Sequence, residues 1–434
     1  MSAAQPQGAP AGLPLRLAAG ERLQRVLGGA RFAPFSAEEF PDPRDRAFAN
    51  RLVTTALRRQ GHLDIVIRRL LERGLPPRAG SFEAHLRLAL GQLLYLPETG
   101  AHSAIFLGVE ALKQDHRAAH LSKLMNAVLR RAQGEADAFR ALPPEALIPD
   151  TARRAWMAAY GKPAITAFAE ALLAGAPLDL TLNGADDDLL AALGGVQILD
   201  DVVRLDSRDR PVEQLPGYEQ GRWWVQDVAA SLPARLIALP AGARVLDLCA
   251  APGGKTAQLV KAGYRVTALD NDEDRLDRLR ENLARLGFEA EIVLADAAAF
   301  APDTPFDAVL LDAPCSATGT FRRHPEVIWH RDAIAGRVEL QRRLLAKASD
   351  ALRPGGQLVY CVCSLEPEEG EAQADWARAN RPELTPVPIA PGELGPFGMA
   401  VDRAGNLRTT PAMAVPGAPG TLDGFFAARF RRAG

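Results

Sequence analysis

The second half of the sequence alternates between short apolar segments and longer amphipathic ones, and this alternation restricts the possible folds most. Strands are predicted over residues 243–248, 265–270, 290–295, 306–311 and 357–361. Helices are predicted over residues 256–262, 272–286, 334–352 and 368–380. Repeated strand–helix units form a parallel sheet with helices on both faces. A last strand over 424–430 has no helix after it, so we expect it to join the sheet in the antiparallel direction.

Aspartates stand at the ends of four successive predicted strands: Asp247, Asp270, Asp296 and Asp312. The carboxyl ends of parallel strands meet at one edge of the sheet, where such folds bind their ligands. Asp270 closes the second strand, where an acidic residue binds ribose hydroxyls in doubly wound nucleotide folds. Each aspartate also has a structural alternative, because an aspartate at a strand end can cap the next helix.

A glycine turn follows the first of these strands, in the segment 245–256, Val-Leu-Asp-Leu-Cys-Ala-Ala-Pro-Gly-Gly-Lys-Thr. Glycine lets the backbone approach a ligand closely, and the helix that follows offers free N–H groups at its N terminus. The segment matches neither the dinucleotide pattern G-x-G-x-x-G nor the phosphate-binding pattern G-x-x-x-x-G-K-[ST]. The turn therefore favours an adenosine ligand without phosphates over NAD or ATP.

Two of the four cysteines are predicted to reach the same sheet edge. Cys315 follows Pro314 in the loop after the fourth strand, and Cys363 stands at the end of the fifth. Strand alternation places Cys361 on the same face as Cys363 but deeper, as a structural residue. A free cysteine alone is most often a small buried apolar residue. The nearest histidine, His324, is not at ligand spacing, so we expect no metal. A redox pair is the remaining alternative for two thiols at one edge, although they lack the redox pattern C-x-x-C.

The first part of the chain is predicted to be a basic helical bundle. Apolar residues recur every three to four positions over 44–59, 63–72, 82–96, 103–115 and 119–133. Residues 1–145 carry 20 Lys and Arg against 14 Asp and Glu, whereas the remainder carries 31 against 39. The net charge of −2 is therefore the sum of a positively charged first part and a negatively charged remainder. Paired arginines in this bundle form either a solvated face or a phosphate-contacting surface, at Arg58-Arg59, Arg68-Arg69 and Arg130-Arg131.

Segments that would direct the chain to a membrane or out of the cell are not evident. No run of about 18 apolar residues occurs, so no membrane-spanning helix is expected. The uncharged start lacks the basic-then-apolar order of a signal peptide. Four cysteines in 434 residues exclude a disulfide scaffold. We expect a cytoplasmic protein.

Three motifs resemble those of the RNA cytosine-5 methyltransferases of the RsmB/Sun family. They are Cys249–Lys255, the specific run Asp312–Trp329 that begins Asp-Ala-Pro-Cys, and Cys363-Ser364. The helical part, with Asn-Ala-Val-Leu-Arg at 126–130, resembles the NusB-type RNA-binding domain of the bacterial subfamily. The resemblance implies an α/β fold, a Rossmann-like class I S-adenosylmethionine methyltransferase sheet, preceded by an all-α RNA-binding bundle.

We accordingly divide the chain into four parts. They are a flexible tail (1–15), a NusB-like domain (16–145), a small mixed α/β linker subdomain (146–235) and a catalytic domain (236–434). The proline residues between 143 and 149 mark the linker. RNA is the implied partner, with no metal and no membrane, and we expect a monomer.

The resemblance implies methyl transfer from S-adenosylmethionine to carbon 5 of a cytosine in RNA, with 16S ribosomal RNA as the expected substrate. Asp270 would hold the ribose of the cofactor and Asp296 would lie by the adenine. The full implied cofactor site is Cys249, Ala250, Ala251, Pro252, Gly253, Gly254, Lys255, Asp270, Asp296 and Asp312.

The same resemblance assigns the chemistry to four residues. Carbon 5 of cytosine is a poor nucleophile until a thiolate adds to carbon 6. The resemblance gives this attack to Cys363 and associates Cys315 with product release. Asp312 would stabilise the charge that develops near ring nitrogen 3, and Lys255 would orient the site and keep Cys363 ionised. The target base has to be unstacked.

Two positions depart from the family pattern. Val362 replaces the usual threonine before the nucleophile, which we expect to remove a hydroxyl near the thiol. Gly370 replaces an asparagine, which removes a possible polar contact. Neither change removes a group that the chemistry requires.

Two other functions fit parts of the sequence. A nicotinamide-dependent oxidoreductase would use the glycine turn and Asp270, but the third glycine of its pattern is missing. A non-catalytic RNA-binding factor would explain the basic bundle, but it would not need the four residues Asp312, Cys315, Cys363 and Lys255.

Overall fold

The computed structural model describes residues 10–184, 187–205, 210–331 and 333–434, which form two compact units. The helical unit extends to Leu173 and also contains His324–His330. The sheet unit consists of Ala174–Arg323 and Arg331–Gly434. Within the described ranges, no helix is both long and apolar enough to cross a membrane. Residues 1–9 of the predicted tail lie outside those ranges.

Nine α-helices are described in the first part of the chain. They are α1 (Leu13–Leu27), α2 (Pro43–Arg58), α3 (Gln60–Leu70), α4 (Phe82–Tyr95), α5 (Ala101–Lys113), α6 (Ser122–Gly134), α7 (Ala136–Arg140), α8 (Asp150–Tyr160) and α9 (Lys162–Ala174). All five helices predicted from the apolar spacing are present. Helix α4 is buried on nearly all sides, because α1, α2, α5 and α6 pack around it.

Two features of the helical unit differ from the expectation. Helix α1 begins at Leu13, inside the segment expected to be a flexible tail, because Leu13 packs against Leu107 and Ala111 of α5. Helices α8 and α9 fall in the helical unit, although the sequence grouped them with the small subdomain. They pack on each other through the fully buried Trp156 and Phe168.

A seven-residue segment, His324–His330, belongs to the helical unit, although the residues before and after it belong to the sheet unit. Most of it is a short 3-10 helix, Pro325–Trp329. The backbone N–H of Phe32 donates to Glu326 Oε1 at 3.0 Å, and Glu326 is 3% exposed. The chain therefore leaves the sheet unit after Arg323 and returns to it at Arg331.

The sheet unit begins with a small antiparallel sheet in the order β2-β3-β1-β4. Its elements are β1 (Leu178–Leu182), α10 (Asp187–Leu193), β2 (Val196–Leu199), β3 (Val202–Leu205) and β4 (Trp223–Val225). The short apolar runs 178–182 and 197–199 predict strands that correspond to β1 and β2, whereas β3 and β4 were not predicted. Helix α11 (Val228–Arg235) follows, and Asp227 caps its N terminus by accepting from Ala229 N–H.

The larger sheet contains the predicted strand–helix alternation. Its elements are β5 (Arg244–Leu248), α12 (Gly254–Lys261), β6 (Arg265–Asp270), α13 (Glu273–Leu286), β7 (Glu291–Leu294), β8 (Phe306–Asp312), α14 (Ile334–Asp350), β9 (Leu352–Val362), α15 (Glu371–Asn380), β10 (Leu384–Pro386), β11 (Leu407–Thr409) and β12 (Phe425–Arg432). The strand order is β7-β6-β5-β8-β9-β12-β10, and β11 pairs with β12. The five strands from β5 to β9 are parallel.

The last strand pairs with β9 in the antiparallel direction, as predicted. Apolar clusters cover both faces of the sheet, and two of them meet its central strands. One contains Val245, Leu310 and Cys361, and the other contains Leu246, Val309 and Val362. Alternate residues of each strand belong to different clusters because successive side chains point to opposite faces. Both faces are buried, which explains the nearly continuous apolar character of these strands.

Candidate active site

The carboxyl edge of the larger sheet brings together residues that the sequence singled out. Asp312 is the last residue of β8 and lies opposite Cys361 of β9 in register. Lys255 Nζ, from the first turn of α12, donates to Asp312 Oδ2 at 2.7 Å. Cys361 Sγ donates to Asp312 Oδ1 at 3.6 Å. Each oxygen of this carboxylate therefore has its own donor.

Lys255 holds a positive charge in a nearly closed environment. The residue is 9% exposed, and Nζ lies 4.9 Å from the centre of the Phe425 ring. Burial alone would lower the pKa of Lys255, but the charge of Asp312, followed by the thiols of Cys361 and Cys363, raises that pKa above its ordinary value. The ammonium group therefore stays protonated and favours negative charge on its neighbours.

Two thiols lie next to each other at this edge. Cys315 Sγ and Cys363 Sγ are 3.6 Å apart. The hydrogen bond with Cys363, together with burial, raises the pKa of Cys315 well above its ordinary value. Cys315 therefore holds its proton more firmly than a free thiol does. Cys361 is fully buried, and burial raises the pKa of its thiol as well.

Backbone contacts fix the loop after β8 against the residues at the end of β9. Gly319 N–H donates to the carbonyl of Cys363 at 3.0 Å, and Gly424 N–H donates to the carbonyl of Gly319 at 2.9 Å. A Cβ atom at Gly319 would lie 1.9 Å from the carbonyl oxygen of Gly424. Only glycine therefore permits this approach of the two backbones.

The glycine turn between β5 and α12 is held from the end of β6. Asp270 is 2% exposed and accepts from Ala251 N–H at 3.1 Å, from Asp272 N–H at 3.2 Å and from Arg275 Nη1 at 3.4 Å. Arg275 also donates to the carbonyl of Ala251. Gly253 has φ +97°, a conformation that suits glycine. The end of β6 thus holds the turn in place through Asp270, a role that the sequence did not indicate.

Asp247 is fully buried beneath this turn. Its Oδ2 accepts from Thr256 Oγ1 at 2.7 Å, whereas its Oδ1 has no hydrogen-bond partner among the described residues. Burial raises the pKa of Asp247 from 3.8 to about 7. An unpartnered buried carboxylate oxygen is costly, so it indicates a place where a donor from a ligand is accommodated.

Asp296 differs from the other three strand-end aspartates. It is exposed and lies after the end of β7. Its Oδ1 accepts from Ala298 N–H at 2.9 Å within the turn that follows β7, and no helix begins in this described stretch of the chain, so Asp296 does not act as a helix cap.

The two departures from the family pattern have different structural consequences. Val362 is buried in the apolar cluster on the face opposite to Cys361 and Cys363, so the expectation that a hydroxyl near the thiol is lost is wrong. At Gly370 an added Cβ would lie 2.2 Å from Arg408 Nη2. Arg408 Nη1 donates to the carbonyl of Ser364 at 2.6 Å, so Arg408 supplies a polar contact in this region.

Sequence reasoning missed several residues that shape the site. Ser316 and Ser364 each follow one of the paired cysteines and are hydrogen-bonded to Glu369. Their positions directly after the cysteines were the available signal. For Phe425, which covers Lys255 from β12, no local signal exists, because the contact joins residues far apart in the chain.

The fold is that of a Rossmann-like methyltransferase preceded by a NusB-like helical region. Residues 234–431 match the family model described as 16S rRNA methyltransferase RsmB/F, and residues 20–134 match the NusB family. The chain belongs to the RsmB/F family of methyltransferases. The expectations for the family and the fold are therefore confirmed.

Named relatives agree with this placement. Ribosomal RNA small subunit methyltransferase B of Xanthomonas campestris is 40% identical over 393 residues, covering 85% of this chain and 88% of the relative. The protein of the same name from Vibrio cholerae is 34% identical over 384 residues, covering 83% and 87%.

Solved structures share the fold. A methyltransferase homolog protein from Pyrococcus horikoshii is 30% identical, with a TM-score of 0.54 and coverage of 65% of this chain and 95% of that one. The crystal structure of PH0851 has a TM-score of 0.73 at 21% identity, covers 96% of this chain and 99% of that one, and shows the fold alone.

Proposed function

We propose that this protein methylates carbon 5 of a cytosine in small-subunit ribosomal RNA, with S-adenosylmethionine as the methyl donor and Cys363 as the nucleophile. The observation that carries the proposal is the pair of thiols 3.6 Å apart beside the Lys255–Asp312 ion pair. Methylation of nitrogen or oxygen needs no thiol, whereas carbon 5 of cytosine needs a covalent nucleophile to become reactive. The names of the relatives support ribosomal RNA as the substrate.

The turn between β5 and α12 fits S-adenosylmethionine, which would supply the methyl group. The unpartnered Oδ1 of Asp247 offers an acceptor for an N–H donor of such a ligand. We assign the residues of the turn, Cys249–Lys255, to the methionine part. Asp270 accepts three hydrogen bonds, so its carboxylate retains an acceptor site for a ribose hydroxyl. Asp296 is assigned to the adenine end.

In the first chemical step, the Cys363 thiolate adds to carbon 6 and forms an Sγ–C6 bond. The electrons of the C5=C6 bond move toward the ring carbonyl and ring nitrogen 3, where a proton shared with Asp312 stabilises them. Lys255 assists in two ways: its charge favours the thiolate of Cys363, and its hydrogen bond holds Asp312 in place. Carbon 5 then carries enough electron density to take the methyl group.

In the release step, carbon 5 loses its proton and the enzyme is regenerated. We assign the removal of this proton to the thiolate form of Cys315, which forms when the Cys315 thiol gives its proton to solvent. The C5–H electron pair becomes the new C5=C6 bond, and the Sγ–C6 bond breaks to return the Cys363 thiolate. A raised pKa makes the Cys315 thiolate a stronger base once it forms.

The helical unit is proposed to bind the RNA. It matches the NusB family, and residues 1–145 carry a net positive charge, whereas the remainder is acidic. Exposed arginines on this unit, such as Arg68 and Arg130, are suited to phosphate contacts that do not depend on sequence.

Two cysteine variants test the proposal. Cys363→Ala should abolish methyl transfer to RNA, and Cys315→Ala should accumulate a covalent protein–RNA adduct on denaturing gels. Bisulfite sequencing of total RNA from cells with and without the gene would locate the cytosine. Full activity of Cys363→Ala would show that the nucleophile is assigned wrongly. If deletion of the gene changes the methylation of no RNA, the protein would instead be a non-catalytic RNA-binding factor.

A further inference from the structure

Glu369 is a fully buried carboxylate that contacts the residues directly after the two cysteines. It is 0% exposed, and no ion pair involves it within the part of the chain that the structure describes. Instead it accepts several hydrogen bonds. Ser316 N–H donates to its two oxygens at 2.9 and 3.1 Å, and Ser364 Oγ donates at 2.6 Å. Ser316 Oγ and Gln341 Nε2, the latter at 3.2 Å, donate as well.

This arrangement suits a carboxylate and no neutral side chain. Burying an uncompensated carboxylate is costly, but several donors directed at its two oxygens offset the lost hydration. A glutamine at this position would replace one accepting oxygen with an amide NH2 group beside the Ser316 N–H, which can only donate. Ser316, Ser364 and Gln341 are themselves buried, so they have little access to water as a substitute acceptor.

The donors come from the two segments that carry the reactive thiols. Ser316 directly follows Cys315, and Ser364 directly follows Cys363. The two serine hydroxyls are also 3.1 Å apart. Glu369 therefore joins the loop after β8 to the end of β9 at the point where the two thiols face each other.

Other contacts strengthen the same connection from the Cys315 side. Gln341 Nε2, from α14, donates both to Glu369 and to the carbonyl of Pro314 at 2.9 Å. Thr318 Oγ1 accepts from Leu365 N–H at 3.1 Å. The residues on both sides of Cys315 are thus tied, directly or through Gln341, to one carboxylate.

We propose that Glu369 is a positioning residue that fixes Cys315 against the base bound to Cys363, and thereby controls the release step. This inference rests on the proposed function. In that step the carbon 5 proton passes to the Cys315 thiolate, its electron pair forms the C5=C6 bond, and the Sγ–C6 bond to Cys363 breaks. The step requires Cys315 at a defined place, because small displacements of a reacting group lower its rate strongly.

The test is the partition of RNA between covalent adduct and released methylated product in a single turnover of the full-length protein. Glu369→Gln should raise the ratio of adduct to product about tenfold, toward the value of Cys315→Ala. The exposed neighbour provides a matched control, and Glu368→Gln should keep the wild-type ratio. A mere loss of folded protein lowers both quantities and leaves their ratio unchanged.

Two further variants complete the test. Ser316→Ala removes one donor and keeps the backbone N–H, so it should shift the ratio in the same direction by less. Cys315→Ala combined with Glu369→Gln should match Cys315→Ala alone, because Glu369 acts through Cys315. A wild-type ratio for Glu369→Gln and Ser316→Ala, or an added effect in the double variant, overturns the inference. If Cys315→Ala itself gives no adduct, the proposed function fails and the inference fails with it.

Discussion

Replacement of Asp247 by asparagine should make the protein more stable at alkaline pH. Asp247 is fully buried, and its Oδ1 has no partner among the described residues. An asparagine has the same shape, and its carbonyl oxygen can accept from Thr256 as Oδ2 now does. Its amide then occupies the unpartnered position without carrying a charge. The substitution therefore removes the ionisation while keeping the packing.

The magnitude follows from the pKa of Asp247. Burial raises this pKa from 3.8 to about 7 in the folded protein. The folded protein thus binds more protons than the unfolded chain between these two values, so its stability falls as pH rises through this window. The full effect is about 4 kcal/mol above the folded pKa, since one pKa unit corresponds to about 1.4 kcal/mol. Between about pH 5 and about pH 8 the loss is on the order of 2–3 kcal/mol.

Urea unfolding of both proteins from about pH 5 to about pH 8 measures this effect. The difference in the free energy of unfolding between Asp247→Asn and the wild type should grow with pH, because other groups titrate alike in both. The exposed Asp303→Asn serves as the control and should follow the wild type at every pH. A difference between Asp247→Asn and the wild type that does not change with pH would refute the reasoning.

Four further predictions concern three glycines and the Cys315 thiol. Gly319→Ala should destabilise the protein by about 3 kcal/mol or more in urea unfolding, because its Cβ meets a backbone carbonyl at 1.9 Å. Gly336→Ala should instead stabilise the protein by about 0.5–1 kcal/mol, because Gly336 lies in helix α14 and an added Cβ there would meet no other atom within 4 Å. In a double-mutant cycle, Gly370→Ala and Arg408→Ala should show a coupling of about 1–2 kcal/mol, since the new Cβ displaces the guanidinium, and an additive result would contradict the contact. Decay of the isolated RNA adduct should accelerate with pH up to and beyond 9, because burial still raises the pKa of Cys315 after the adduct has replaced its hydrogen bond with the Cys363 thiol. A rate independent of pH would argue against Cys315 as the base.

Much of the architecture was predictable because it depends on local patterns. The five parallel strands, the helices after them and the antiparallel direction of β12 follow from apolar periodicity and from element order. The same order brings strand ends to one edge, so the proximity of Asp312, Cys315 and Cys363 could be inferred without coordinates. The short strands β3, β4, β10 and β11 were missed, because three or four residues form a strand only when a partner is available.

What lay beyond the sequence depends on contacts between distant segments. Val362 and Cys363 are neighbours in the chain, but they lie on opposite faces of the sheet and have different surroundings. Only the structure showed which face each one occupies. Glu369 carries no local mark that distinguishes it from the exposed Glu368.

Buried charges show most clearly what the sequence determines and what only the tertiary structure determines. The sequence by itself determined the secondary structure and the chemical groups available at the sheet edge, since periodicity and turn residues act over short range. The tertiary structure alone decided which charges are buried and what compensates them. Arg322, for example, is 0% exposed and pairs with Asp227 and Asp423, which lie about a hundred residues away on either side. Desolvation depends on everything that surrounds a group, so the protonation and positioning of Asp247, Lys255 and Glu369 arise only in the folded protein.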